Sequence, residues 1–257
     1  MIDLHSHIIY GIDDGSKSKE MTLNMLRKSV ETGTRKIVAT PHFFPGRYEV
    51  KSGDVKEYVK ELNALTKENG INIEIYSGQE VYYTENILKY YNEGLIGTIN
   101  NTRYMLIELP MRNFSRTNVI NDIYELQIKG IIPIIAHPER YKPFIEEPRL
   151  INKLIREGFL FQLNTGSITG MFGKNAKKTA NIFLKNKVYS FIGSDAHRDV
   201  KRNTDMSLGL EAINKIDKKY LSEINRWSED MLLNKDVEFG GNIIEKKKNF
   251  ILRLFSR

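Results

Sequence analysis

The sequence predicts an α/β fold, a distorted (β/α)7 TIM-like barrel with its active site at the C-terminal ends of the strands. Two observations carry that expectation. Short runs rich in Ile, Val, Tyr and Phe alternate with amphipathic helical stretches along the 257 residues, the pattern of parallel strands joined by helical crossovers. All five histidines lie in short motifs that close such runs. Strand ends converge on one face of a barrel, so this placement favours a barrel over an open doubly wound sheet.

Seven runs read as strands: Ile2–His7, Lys36–Thr40, Asn72–Ser77, Arg103–Leu109, Ile131–Ala136, Phe159–Leu163 and Val188–Ile192. After the first, Ser18 suits an N-cap, Met21, Met25, Leu26 and Val30 form one apolar face, and Gly33 stops the helix. Residues Asp54–Asn69 carry Val55, Tyr58, Val59, Leu62 and Leu65 at helical spacing and end at Gly70. Thr117–Lys129, Arg149–Glu157 and Asn175–Asn186 repeat the pattern. No Pro/Gly-rich linker interrupts the alternation, so residues 1–257 are read as one domain.

Composition narrows the chemistry. The absence of cysteine excludes a disulfide framework, a thiolate metal site and a cysteine nucleophile. No run of about 18 apolar residues exists, so no transmembrane helix is expected. Met1-Ile2-Asp3-Leu4-His5 enters a strand at once, without the regions of a secretory signal, and the expected location is cytoplasmic. The net charge of +7 suits an anionic partner, but the lysines are spread along the chain as on any solvated surface. No basic stripe interleaved with aromatics appears, so no nucleic-acid partner is expected.

His5 and His7 stand two residues apart in a strand, so both side chains point the same way and can grip one ion. His42 follows Ile37–Thr40, His137 follows Ile131–Ala136, and Asp195 and His197 follow Val188–Ile192. Asp14 lies in the loop after the first strand, Glu80 follows Ile73–Ser77, and Glu108 lies at the end of Tyr104–Ile107. Imidazole with carboxylate suits zinc, manganese or iron rather than calcium. Each motif alone has an ordinary explanation, such as a turn for Asp13-Asp14-Gly15 or an N-cap for Asp195. Together, at successive strand ends, they describe one multinuclear centre.

These residues resemble the PHP (polymerase and histidinol phosphatase) superfamily. Within it, the chain is similar to the bacterial tyrosine-protein phosphatases linked to capsular and extracellular polysaccharide synthesis. The similarity is carried by Met-Ile-Asp-Leu-His-Ser-His at 1–7, Asp-Asp-Gly at 13–15 and Tyr82-Tyr83-Thr84 after Glu80. It continues through Asn101-Thr102-Arg103-Tyr104, Ala136-His137-Pro138-Glu139-Arg140 and Ser194-Asp195-Ala196-His197.

The resemblance implies three divalent metal ions, manganese first, with iron or zinc as alternatives. His5, His7, Glu80 and Asp195 would hold one ion. Glu80 would bridge to a second, completed by Glu108 and His137, and Asp14, His42 and His197 would hold the third. Arg140 and Arg202 match arginines that bind substrate phosphate. Three dications against four ionised carboxylates leave a net positive cluster, which suits a phosphomonoester dianion. The implied reaction is direct hydrolysis of phosphotyrosine by a metal-bridging hydroxide, with His42, His197 or Asp199 as the nearest proton-transfer groups. The implied substrate is the tyrosine-rich tail of an autophosphorylating bacterial tyrosine kinase. A phosphoesterase of small metabolites such as histidinol phosphate is the alternative.

Two further segments concern partners. Phe43-Phe44-Pro45-Gly46-Arg47-Tyr48 lies on the expected rim, where aromatics could receive a phosphotyrosine ring. Lys246-Lys247-Lys248 with Phe250, Ile251, Leu254 and Phe255 forms a basic amphipathic tail, suited to docking on the barrel or to peripheral contact with a membrane or a membrane-bound kinase.

Overall fold

A computed structural model of the chain describes residues 1–245; the basic tail, 246–257, lies outside the described residues. The strands are β1 (Ile2–Ser6), β2 (Lys36–Ala39), β3 (His42–Phe44), β4 (Tyr48–Glu49), β5 (Glu74–Ser77), β6 (Glu80–Tyr82), β7 (Tyr104–Glu108), β8 (Ile132–Ala136), β9 (Leu160–Asn164) and β10 (Phe191–Gly193). The α-helices are α1 (Lys19–Glu31), α2 (Ser52–Glu68), α3 (Ile87–Asn92), α4 (Arg116–Ile128), α5 (Lys142–Glu146), α6 (Ile151–Arg156), α7 (Thr165–Thr169), α8 (Lys174–Lys185), α9 (Ser207–Ile216) and α10 (Lys218–Leu232).

Strands β1-β2-β5 form one parallel sheet, and β10-β9-β8-β7-β6-β3-β4 form a second, antiparallel only at the β3–β4 hairpin. The two sheets share broken strands. The predicted strand Lys36–Thr40 is β2 of the first sheet; Pro41, which lacks an N–H, follows it, and the chain continues beyond it into the second sheet as β3. The predicted strand Asn72–Ser77 is β5 of the first sheet, and after Gly78-Gln79 the chain likewise continues into the second sheet as β6. Bonds from Gly78 N to Ala39 O (2.9 Å) and from Glu80 N to Pro41 O (3.0 Å) keep the two broken strands side by side.

Strand β1 also meets the end of β10, through Asp195 N donating to His5 O (2.8 Å) and His7 N to Ala196 O (2.9 Å). The seven predicted strands therefore follow one another around a ring, and the distorted (β/α)7 architecture holds. The short β3, β4 and β6 are what the sequence pattern hides. Each has only two or three residues, β3 and β6 as continuations after a break and β4 as the return strand of a hairpin, too short to show a period of its own.

The helices form for local reasons. Ser18 caps α1 by accepting from Met21 N, as its position predicts, and Ser115 and Asp217 cap α4 and α10 similarly. Helices α1 and α2 lay Met25, Leu26, Val55, Val59 and Leu62 against Ile37 and Ile75. The larger core gathers the remaining strands with α4, α8 and α10. Strands β7 and β9 are buried throughout, as expected of parallel strands covered on both faces. Among the described residues, no helix is long and apolar enough to cross a membrane.

Candidate metal centre

Every donor named from the sequence reaches one cavity or the cluster beneath it. Side-chain atoms of His5, His7, Glu80 and Asp195 lie within mutual coordinating reach, as do those of His7, Asp14, His42 and His197, and those of His42, Glu80 and Glu108. The first group is the one expected. His7 joins the third group and His42 reaches the second. His137 also borders the second, with Nε2 2.9 Å from Glu80 Oε1 and 3.8 Å from Glu108 Oε1. Glu80 belongs to two of the groups and touches His5, His7, His42 and His137.

The hydrogen bonds fix where the lone pairs point. Gln162 Oε1 lies 3.0 Å from His5 Nδ1 and also accepts from His137 N (3.3 Å), so it acts as the carbonyl oxygen and His5 Nδ1 carries the proton. Asp13 Oδ2 accepts from His7 Nδ1 at 2.8 Å, and Asp195 O accepts from His197 Nδ1 at 3.0 Å. In all three neutral imidazoles Nε2 is then a bare lone pair facing the cluster, the orientation a metal ligand needs. His197 Nε2 faces Asp14 Oδ1 at 3.4 Å, so two acceptors oppose each other. Asp14 Oδ1, His42 Nδ1 and His137 Nδ1 are buried without a hydrogen-bond partner. A nitrogen-and-oxygen donor set with orphaned, converging lone pairs fits borderline divalent cations.

Electrostatics in the metal-free chain follow from the crowding. Burial lowers the pKa of His5, but Glu80 and Asp195 outweigh it and hold the group above the usual histidine range. For His7, burial is again opposed, by Asp13 and Glu80, and the net direction is well upward. Burial, then the charge of Arg140, brings His137 down to about 4; burial, then His7, does the same to His197. Glu108 is pushed well up by burial and by Glu80 and Asp195.

Three residues here adopt left-handed backbone: His137 (φ 31°), Asp195 (φ 53°) and Arg202 (φ 54°). Non-glycine residues visit this region at a cost of about 1–3 kcal/mol each, and such strain gathers at functional sites. His137 directly follows β8 and Asp195 comes two residues after β10, where the chain leaves the barrel rim while aiming both side chains at the cluster.

Arg140 and Arg202 grip Asp195 from both sides, with Arg140 Nη1 2.7 Å from Oδ2 and Arg202 Nη2 2.5 Å from Oδ1. The Phe172 ring lies under both guanidiniums, 4.3 Å from Arg140 and 5.6 Å from Arg202. Both arginines line a cavity of about 520 Å³ together with Asp14, His42, Glu80 and Glu108. Asp199 is not on its wall; its carboxylate accepts from Asn24 beside α1.

The aromatic segment 43–48 divides. Phe43 is buried core against Tyr90, whereas Phe44 stacks on Tyr82 (4.0 Å, 6°) and Tyr48 on His42 (5.9 Å, 13°), all three lining the cavity.

Several residues escaped the sequence reading. Asp13, passed over for Asp14, orients His7 and also accepts from Gly15 N and His42 N. Gln162 and Asn164 lie on β9, and Asn164 Nδ2 donates to Asp195 Oδ2 at 2.8 Å. Glu139, fully buried and pushed up to about 7 by that burial, accepts from Asn164 N, Ser167 Oγ and Tyr189 OH. The available signal was polarity: Gln162 and Asn164 interrupt or end an otherwise apolar strand.

Comparison with known proteins agrees with the geometry. Residues 1–234 match the family model for capsular polysaccharide synthesis, CpsB/CapC. The chain is 34% identical over 224 residues to the tyrosine-protein phosphatase YwqE of Bacillus subtilis, covering 87% of each chain. It is 33% identical over 220 residues to the tyrosine-protein phosphatase CpsB of Streptococcus pneumoniae, covering 84% of this chain and 90% of that one. A crystal structure from work on YwqE and CpsB, described as unique metal-dependent tyrosine phosphatases, superposes with a TM-score of 0.90 at 30% identity, covering 96% of this chain and all of the other.

Proposed function

The chain belongs to the CpsB/CapC family of capsular polysaccharide synthesis, and on that footing we propose that it is a metal-dependent protein-tyrosine phosphatase formed by one domain, residues 1–257. The observation that carries the reading is a nitrogen-and-oxygen cluster on the floor of a cavity walled by two guanidiniums. His5, His7, Glu80 and Asp195 hold one divalent ion; Glu80, Glu108 and His137 a second; Asp14, His42 and His197 a third. Manganese is the proposed metal, with iron or zinc as alternatives. Bound divalent ions supply a water of lowered pKa as nucleophile and draw charge from the phosphoryl oxygens.

The chain's own residues do the rest. Arg140 and Arg202, oriented by Phe172 and Asp195, receive the equatorial phosphoryl oxygens with the N–H groups that Asp195 leaves free. Phe44, Tyr82 and Tyr48 offer flat surfaces for the substrate ring. Tyrosinate leaves readily because phenol has a pKa of about 10, so a strong general acid is less needed. With no cysteine there is no phosphocysteine intermediate, and thiol alkylation leaves activity intact.

The proposed substrate is a phosphotyrosine protein of the cytoplasm, the tail of an autophosphorylating tyrosine kinase in polysaccharide synthesis. The test is to strip the protein of metal, restore manganese, and assay a phosphotyrosine peptide beside a phosphoserine peptide and histidinol phosphate. Phosphotyrosine should be preferred, with activity abolished by chelator and by His42→Ala. Faster turnover of histidinol phosphate would move the function into small-molecule metabolism.

A further inference from the structure

The cavity wall holds more positive charge than one phosphate needs. Arg47 and Arg112 line the same cavity as Arg140 and Arg202. Unlike the inner pair, which is partly buried against Asp195, both are exposed. Neither has an acidic partner among the described residues. The carboxylates on the wall, Asp14, Glu80 and Glu108, are turned to the imidazoles of the cluster instead.

Their placement is built rather than loose. Arg47 N donates to Phe44 O at 2.9 Å, closing the β3–β4 turn, and its guanidinium lies 5.1 Å from the Tyr48 ring. Tyr48 in turn stacks on His42, so Arg47 at the rim is joined through one ring to the cluster. Arg112 follows β7, in a loop pinned where Lys142 N donates to Met111 O at 2.9 Å. Between β3 and β7 in the sheet lies β6, whose Tyr82 carries the Phe44 stack. The two outer arginines thus belong to loops on either side of an aromatic platform.

We propose that Arg47 and Arg112 form an outer anion subsite, and that the enzyme selects phosphotyrosines with a second negative group, carboxylate or phosphate, on a neighbouring residue. The proposal rests on the phosphatase reading above: the inner arginines take the scissile phosphate, and the outer pair takes the flanking charge. Guanidinium forks suit both carboxylate and phosphate, and exposed pairs of this kind are screened by salt.

The experiment compares kcat/KM for three phosphotyrosine peptides of equal length: neutral flanks, glutamate flanks, and a second phosphotyrosine nearby. The manganese-loaded full chain is assayed as wild type, as Arg47→Gln/Arg112→Gln and as Arg47→Glu/Arg112→Glu, each checked for an unchanged melting curve. The readout is the ratio of charged to neutral peptide, so a general loss of activity cancels. Wild type should prefer charged peptides by about tenfold at low salt, the glutamine pair should bring the ratio near one, and the glutamate pair should invert it. A gain with both charged peptides assigns the subsite to negative charge in general; a gain only with the second phosphate narrows its ligand to phosphate. A wild-type ratio near one, or a preference that survives both double variants, overturns the proposal. Failure of the phosphatase reading looks different, since no phosphotyrosine peptide would then turn over.

Discussion

His5 Nε2 and His7 Nε2 face each other at 3.1 Å inside the barrel, while each ring's Nδ1 is occupied by Gln162 or Asp13. Two lone pairs at that distance repel, so a proton or a cation must lie between them. Divalent metal should therefore bind the folded chain far better than the unfolded one. At a free manganese concentration of about 100 Kd, linkage gives about 2.7 kcal/mol of stabilisation. For a chain of this size that is a rise in Tm of roughly 5–10 °C. Calorimetry with and without chelator measures it, and an unchanged melting curve would falsify the metal assignment.

The same pair sets opposite pH slopes for the two forms. In the metal-free chain the pKa values of His5 and His7 lie above the unfolded value, His7 well above. The stability they contribute is therefore fully present below the ordinary histidine pKa of about 6.5 and is lost as pH rises through their folded values. Metal must displace those protons, so its affinity rises over the same range. Apo stability should fall as pH rises above about 6.5 while manganese affinity increases. Titration calorimetry in buffers of different ionisation enthalpy should show proton release on binding; zero release would contradict the shifts.

Backbone approach to the ligands leaves no room for a methyl group. A Cβ on Gly193 would sit 2.6 Å from His5 Cβ, and one on Gly15 would sit 2.3 Å from His7 O. Gly193→Ala and Gly15→Ala should each cost about 1–3 kcal/mol by overpacking and should lower bound metal by displacing an imidazole. Denaturant melts with metal analysis test this, and full occupancy with wild-type stability would show that the neighbours yield.

Asp13→Asn replaces the carboxylate that orients His7 while leaving every proposed ligand side chain in place. Loss of a hydrogen bond that orients a metal ligand costs about 10–100-fold in metal affinity or activity. The manganese concentration at half-maximal activity should rise by that amount, and excess metal should restore turnover. Loss that no manganese concentration repairs would mean that Asp13 acts otherwise than through His7.

Arg140→Ala should raise KM or cut kcat at least tenfold, and Arg140→Lys should not restore it, because an ammonium cannot reproduce the fork. Phe172→Ala, which frees both guanidiniums, should raise KM by about two- to tenfold, the range of one or two cation–π contacts, while Phe172→Tyr retains the wild-type value. Steady-state kinetics with a phosphotyrosine peptide decide both. Equal KM for Phe172→Ala and wild type would remove the ring from the account.

The sequence by itself determined the seven strand-forming runs, the alternation that makes them parallel, and the donors that meet in the cluster. These are properties of side-chain type and local period, which survive without knowledge of any distant contact. Tertiary structure alone decided that Pro41 and Gly78-Gln79 hand two strands from one sheet to the other, since a two- or three-residue strand has no period to read. It also decided between neighbours: Asp14 faces His197 and His42 whereas Asp13 takes His7 Nδ1, a choice set by how the loop after β1 folds back. Phe172 came under Arg140 and Arg202, and Gln162 between His5 and His137, only because the ring brings together positions more than a hundred residues apart in the case of His5 and Gln162. Ligand chemistry is written in residue type, but its orientation depends on partners that only ring formation supplies.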